Sequence, residues 1–207
     1  MPIDGDLLDA ARATKGFMPD DEGAALHAVG LTAARLGPLL EIGSYCGKSA
    51  IYLGAAARAA GTVLFTVDHH RGSEENQPGW EWHDPDLVDA ETGRIDTLPF
   101  FRRSIARAGL EEHVVAVVGR SATVARAWRT PVALVFIDGG HAEDVATADY
   151  DAWSPHVLPG GFLAIHDVFE DVALGGQAPF HVWQRSVDAG FVPTSTTGSL
   201  RVLRSPV

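Results

Sequence analysis

PLLEIGSYCGKSAIYLGAAARAAGTVLFTVD, residues 38–68, decides the fold. It opens with an apolar strand, Pro38–Gly43, bounded by proline and glycine. An Ala-rich helix follows over Gly47–Ala60, and a second apolar strand over Thr62–Asp68. Strands that are apolar throughout and alternate with helices are buried on both faces, as in a parallel sheet.

The same alternation continues outward. Leu98–Leu110 has apolar positions at helical spacing. Val114–Gly119, Ala122–Trp128 and Val132–Asp138 read as strand, short helix and strand. A helix over Glu143–His156 is expected to end before a turn at Leu158–Gly161, with a strand over Phe162–Asp167 beyond it. A helix near Phe180–Ala189 precedes two strands, Phe191–Ser195 and Ser199–Leu203. That last pair is too close for a crossover helix and must form an antiparallel hairpin. The expected fold is therefore α/β, a Rossmann-like, doubly wound, mostly parallel seven-stranded sheet with a C-terminal antiparallel hairpin. Residues 1–36 read as a helical N-terminal extension of one domain covering 1–207, with Asp20, Asp21 and Glu22 placed to suit a helix N-terminus.

Composition narrows the function. The 207 residues include 46% hydrophobic and 21% charged residues, which excludes a disordered chain. A net charge of −11, from 27 acidic and 16 basic residues, argues against nucleic acid and anionic membrane surfaces as partners. One cysteine, Cys46, excludes an internal disulfide and a Cys-based zinc cluster. The acidic N-terminus lacks a signal-peptide pattern, so a cytoplasmic protein is expected. A homodimer is left open.

Ligands of open parallel sheets bind beyond the carboxyl ends of the strands. There the first strand gives Glu41-Ile42-Gly43-Ser44-Tyr45-Cys46-Gly47-Lys48-Ser49. This stretch is one residue short of a phosphate-binding P-loop and lacks two glycines of the dinucleotide fingerprint. The turn E-x-G-x-x-x-G suits an uncharged nucleoside better than a pyrophosphate. Gly43 is expected to let the backbone approach that ligand closely.

These residues resemble the first motif of class I S-adenosylmethionine-dependent methyltransferases. The likeness extends over roughly residues 37–204. It implies that Glu41, Gly43, Ser44, Tyr45, Gly47 and Ser49 form the cofactor turn. It also implies that Asp68 holds the ribose hydroxyls, that Ser121 and Ala122, after Gly119-Arg120, read the adenine edge, and that Asp138 borders the cofactor. A merely solvated strand-end acid is the plain alternative for Asp68.

Two further strand ends carry Asp138-Gly139-Gly140-His141 and His166-Asp167. Asp138 and Asp167 offer hard oxygens and His166 a nitrogen, a donor set for Mg²⁺ or Mn²⁺. Methyl transfer from a sulfonium needs in-line positioning and a general base. His141 is the candidate base, because its ordinary pKa lies near operating pH. The D-x-x-H spacing is similar to metal-dependent sugar O-methyltransferases of macrolide biosynthesis, although many of those place a basic Asp where Gly140 stands and a second acid where His166 stands. The motif EIGSYCGKSAIYL, the stretch VDHHRGSEENQPGWEW and the pairs DGGH and HD also resemble methyltransferases of methylmannose polysaccharide biosynthesis. That likeness implies an acceptor such as the 1-OH of a 3-O-methylated mannoside.

Residues 69–93 form a long polar loop with two Trp and three His, expected to be a mobile substrate lid rather than a plain surface excursion. His70, Trp80 and Trp82 are its candidate substrate contacts. Trp faces stack on a pyranose while Glu, Asn and Gln bond its hydroxyls. Three other readings stay open: an O-methyltransferase of another sugar or small natural product, a metal-dependent hydrolase using the same Asp/His cluster, and a catalytically silent scaffold. The hydrolase reading leaves Glu41–Gly47 and Asp68 unexplained.

Overall fold

Apolar side chains point to both faces of the central strands, so each face must be covered by helices. The computed structural model describes residues 2–207 and shows this arrangement. Leu39–Ile42 (β1), Leu64–Asp68 (β2), Val114–Val118 (β3), Val132–Ile137 (β4), Val157–Ile165 (β5), Val192–Thr197 (β6) and Leu200–Arg204 (β7) form one sheet of order β3-β2-β1-β4-β5-β7-β6. The first five strands are parallel, and β7 is antiparallel to both β5 and β6.

Successive residues of β1 serve opposite faces. Leu39 joins the layer containing Leu26, Ile51, Leu53 and Phe101, and Leu40 joins the layer with Tyr150, Trp153 and Val182. Gly5–Ala13 (α1), Asp20–Ala33 (α2), Lys48–Ala60 (α3) and Leu98–Arg107 (α4) supply the first layer. Glu143–Trp153 (α6) and Ala178–Asp188 (α7) dominate the second, with the short Ser121–Ala125 (α5) beside them. Among the described residues no helix is long and apolar enough to cross a membrane.

Two local expectations are corrected. Leu158–Gly161 is not a turn before the fifth strand but part of it. Val132 pairs with Val157 and Leu134 with Phe162, so the intervening residues bulge from the ladder. Gly160, at φ 70°, supplies the kink, and the C-terminal segment takes over the hydrogen bonding: Gly160 N–H donates to Pro206 O, and Ser205 N–H to Gly161 O.

The loop at 69–93 is also folded, not loose. A capping box joins Ser73 and Asn76, His83 Nδ1 lies 2.8 Å from Asn76 O, and Val88 bridges Ile95. Leu87 and Ile95 bury themselves against Cys46. From the N-terminal segment, Lys15 Nζ reaches Asp84 at 2.5 Å and Asp86 at 3.0 Å. The sequence signal here was polarity, and these residues satisfy their polar groups on one another.

Candidate active site at the carboxyl edge of the sheet

The chain leaves β1 between two strand ends, and this crowding sets the turn. Gly43 has φ 86°, and a Cβ there would collide with the backbone carbonyl of Asp138. The close approach of two strand ends within the protein therefore requires this glycine by itself. Gly47, at φ 95°, starts α3, and its N–H donates to Ser44 O at 2.7 Å.

Asp68 organises this turn. Its Oδ2 accepts the N–H groups of Ser44 and Tyr45, both at 2.9 Å, and its Oδ1 accepts that of His70 at 2.7 Å. Among the described residues, three non-glycine residues sit in the left-handed region: Tyr45 (φ 46°), His70 (φ 56°) and Asp167 (φ 55°). All three follow strands at the same edge, and such backbone persists where surroundings over-determine it.

Glu41 is fully buried in β1, and both carboxyl oxygens lack a hydrogen-bond partner, as does the buried Ser44 hydroxyl. Burial pushes the Glu41 carboxyl up to about 8; Ser49 opposes the shift and Asp138 adds to it. These unpartnered polar atoms, a carboxyl and a hydroxyl that can each donate and accept, fit a ligand with polar groups beside the turn. Ser49 is buried in the first turn of α3. Ser121 accepts the Trp153 indole N–H at 2.7 Å, and Ala122 lies exposed beside it.

A second group gathers at the ends of β4 and β5. Asp138, His166 and Asp167 present ligand atoms all within 4.8 Å of one another. His166 Nδ1 lies 3.1 Å from Asp138 Oδ1 and 3.2 Å from Asp167 Oδ2, with Glu22 Oε2 2.6 Å from Nε2. Burial opposes charge on His166, but the surrounding acids outweigh it and hold its pKa well above the ordinary value. Two carboxylates and an imidazole fit a divalent cation, with the nitrogen favouring Mn²⁺ over Mg²⁺.

His141 faces the same acids. Its Nε2 is 3.1 Å from Asp167 Oδ2 and its Nδ1 3.1 Å from Glu75 Oε2. Asp167 is the main cause that raises its pKa to about 9, with burial opposing. The two imidazoles in turn overcome burial and hold the Asp167 carboxyl well below the usual range.

The loop residues divide. His70 is buried, its Nδ1 2.8 Å from Thr97 Oγ1 and its ring against Phe101, so it braces the loop instead of facing an acceptor. Trp80 and Trp82 are half exposed. Trp82 meets Phe17 edge-on at 5.3 Å, and Phe17 leans on Tyr45 at 5.5 Å. Sequence reasoning missed Phe17, Glu75 and Glu22. The signal for Glu22 was present: it shares the buried stripe of α2 with Leu26 and Ala33, an acid where an apolar residue belongs.

A family model described as a methyltransferase domain matches residues 40–168. Solved structures are also similar. The Podospora anserina methyltransferase PaMTH1, solved bound to SAH, is 14% identical over 100% of this chain and 90% of its own, with TM-score 0.65. An O-methyltransferase from Bacillus cereus in complex with SAH is 17% identical over 99% and 93%, with TM-score 0.64. TomG, an O-methyltransferase from Streptomyces achromogenes in complex with SAM, is 18% identical over 99% and 91%, with TM-score 0.62. At these identities the likeness is one of fold.

Proposed function

The chain belongs to the methyltransferase-domain family, and from that premise we propose that it is an S-adenosylmethionine-dependent O-methyltransferase acting on a sugar hydroxyl. The observation that carries the reading is the juxtaposition of two kinds of chemistry at one sheet edge. A turn with unpartnered polar atoms at Glu41 and Ser44 adjoins an Asp138–His166–Asp167 donor set and an imidazole, His141.

Glu41, Ser44 and Ser49 would hold the cofactor at the turn, with Asp68 and Tyr45 shaping its wall. The cofactor supplies an electrophilic methyl group, so the protein must orient an acceptor hydroxyl in line and remove its proton. Asp138, His166 and Asp167 would hold the divalent cation, whose charge would ease deprotonation of the acceptor hydroxyl. Glu75 fixes His141 through Nδ1 and leaves Nε2 on the Asp167 side as the nitrogen that takes the proton. As long as Asp167 is free to pair with it, His141 stays protonated below about pH 9.

The acceptor is read from the rim. Phe17, Trp80 and Trp82 offer ring faces for a pyranose, and a net charge of −11 disfavours an anionic acceptor. Within sugars, the sequence resemblance to the mycobacterial methylmannose polysaccharide 1-O-methyltransferase supports the 1-OH of a 3-O-methylated mannoside. Another sugar or small natural product is the second reading.

Isothermal titration with S-adenosylmethionine, followed by turnover on an acceptor panel before and after EDTA treatment, tests this. Heat of binding, activity on mannosides, and EDTA inhibition reversed by Mg²⁺ or Mn²⁺ are expected. No heat of binding removes the methyltransferase mechanism, and full activity after EDTA removes the metal.

A further inference from the structure

Glu22 comes from the first turn of α2, far in sequence from the groups it meets. Its Oε2 lies 2.6 Å from His166 Nε2, and its Oε1 accepts the Ser199 N–H at 2.8 Å. The Ser199 hydroxyl lies 3.1 Å from Oε2. Gly198, at φ 51°, leaves room for this carboxylate, since a Cβ there would collide with Glu22 Oε1. The pair is almost sealed, with 3% of the His166 side chain and 6% of that of Glu22 accessible. The hairpin turn, α2 and the end of β5 thus converge on one carboxylate.

We propose that Glu22 is a positioning residue that fixes His166 as a cation ligand, a role that rests on the metal reading above. An imidazole presents one free nitrogen to a cation only when the other keeps its proton, and a hydrogen-bonded carboxylate sets which nitrogen that is. Glu22 holds the proton on Nε2. Nδ1 then faces Asp138 and Asp167, the two oxygen donors. Ser199 in turn holds Glu22 in place, so the hairpin turn is part of the support for the site. Glu22 touches neither acceptor nor cofactor in this assignment and acts through His166 alone.

The test is Mn²⁺ titration of the full chain, followed by electron paramagnetic resonance, with pulsed measurement of imidazole nitrogen coupling. Wild type is expected to bind Mn²⁺ with a directly coupled nitrogen. Glu22→Gln is expected to weaken binding about 10–100-fold, the usual cost of losing such support, and to reduce or lose the coupling. Ser199→Ala, which keeps the backbone N–H to Oε1, should retain the nitrogen coupling and bind Mn²⁺ more tightly than Glu22→Gln. Mn²⁺ bound equally tightly by folded Glu22→Gln overturns this inference alone. A wild type that binds no Mn²⁺ overturns it together with the metal part of the proposed function, while cofactor binding by calorimetry still reports on the methyltransferase part. Should Glu22→Gln fail to fold, nitrogen NMR of wild type loaded with Mg²⁺ decides: a proton on His166 Nε2 is expected, and a proton on Nδ1 overturns the assignment.

Discussion

The carboxylate of Asp68 accepts the backbone N–H of Tyr45 at 2.9 Å, so the acid at the end of β2 holds the turn that follows β1. Ser44 and His70 donate to the same carboxylate. Asp68 therefore builds the turn after β1 in the free protein, before any ligand arrives. Asp68→Ala should destabilise the fold by about 1.5–3 kcal/mol, the range for a hydrogen bond to a charged group, in addition to weakening S-adenosylmethionine. Asp68→Asn, which keeps one acceptor oxygen, should cost less. Urea denaturation without cofactor separates the two effects; equal stability of wild type and Asp68→Ala would confine Asp68 to ligand contact.

Gly43→Ala tests the crowding of two strand ends. The new Cβ meets the Asp138 carbonyl in a left-handed backbone, so neither rotation nor a flexible neighbour relieves it. A loss above about 2 kcal/mol is expected, visible as a lowered melting temperature before any cofactor is added. A stable variant that merely fails to bind would return the glycine requirement to the ligand.

Glu41 predicts a pH slope. Its folded pKa, about 8, lies above its ordinary 4.5, so between those values the folded chain keeps a proton that the unfolded chain has lost. Stability contributed by this group is full below about pH 4.5 and falls as pH rises through 8, by at most about 1.4 kcal/mol per pH unit. Glu41→Gln should flatten the decline in melting temperature between pH 5 and 8 in the cofactor-free protein. An unchanged slope would mean that the carboxylate is already stabilised by partners.

His141→Ala should lower kcat by about 10²–10⁴-fold, as loss of a general base does, while leaving cofactor affinity nearly intact. Its raised pKa adds a stability signature: the contribution is full below about pH 6.5 and lost as pH passes 9, so the variant should lack that loss. Glu75→Gln removes one of the two carboxylates beside the ring and should shift the basic limb of the wild-type stability curve to lower pH. A His141→Ala enzyme with near-normal kcat would move the proton acceptor elsewhere.

The strand succession from Pro38 to Asp167 was legible because buried parallel strands must be apolar throughout, and Asp138, His141, His166 and Asp167 stood out as polar groups ending such strands. Leu158–Gly161 was misread because Pro-Gly-Gly marks a bulge as well as it marks a turn. His70 was misread because a loop histidine carries no sign of the Thr97 hydroxyl that waits for it. Glu22 was legible only in part. Its helical position was plain, but its partners lie 144 and 177 residues downstream, where no local pattern reaches.

That separation also orders the making of the protein. Ribosomes add roughly 5–20 residues per second, so Glu22 emerges roughly 9–35 s before Ser199, the residue that caps it. His166 emerges in between, so Glu22 first gains one partner and then waits for the Ser199 N–H and hydroxyl that hold its carboxylate. The polar cluster at the ends of β4 and β5 thus receives its last bond from the hairpin turn, and a polypeptide stalled before that turn leaves the Glu22 carboxylate half-satisfied.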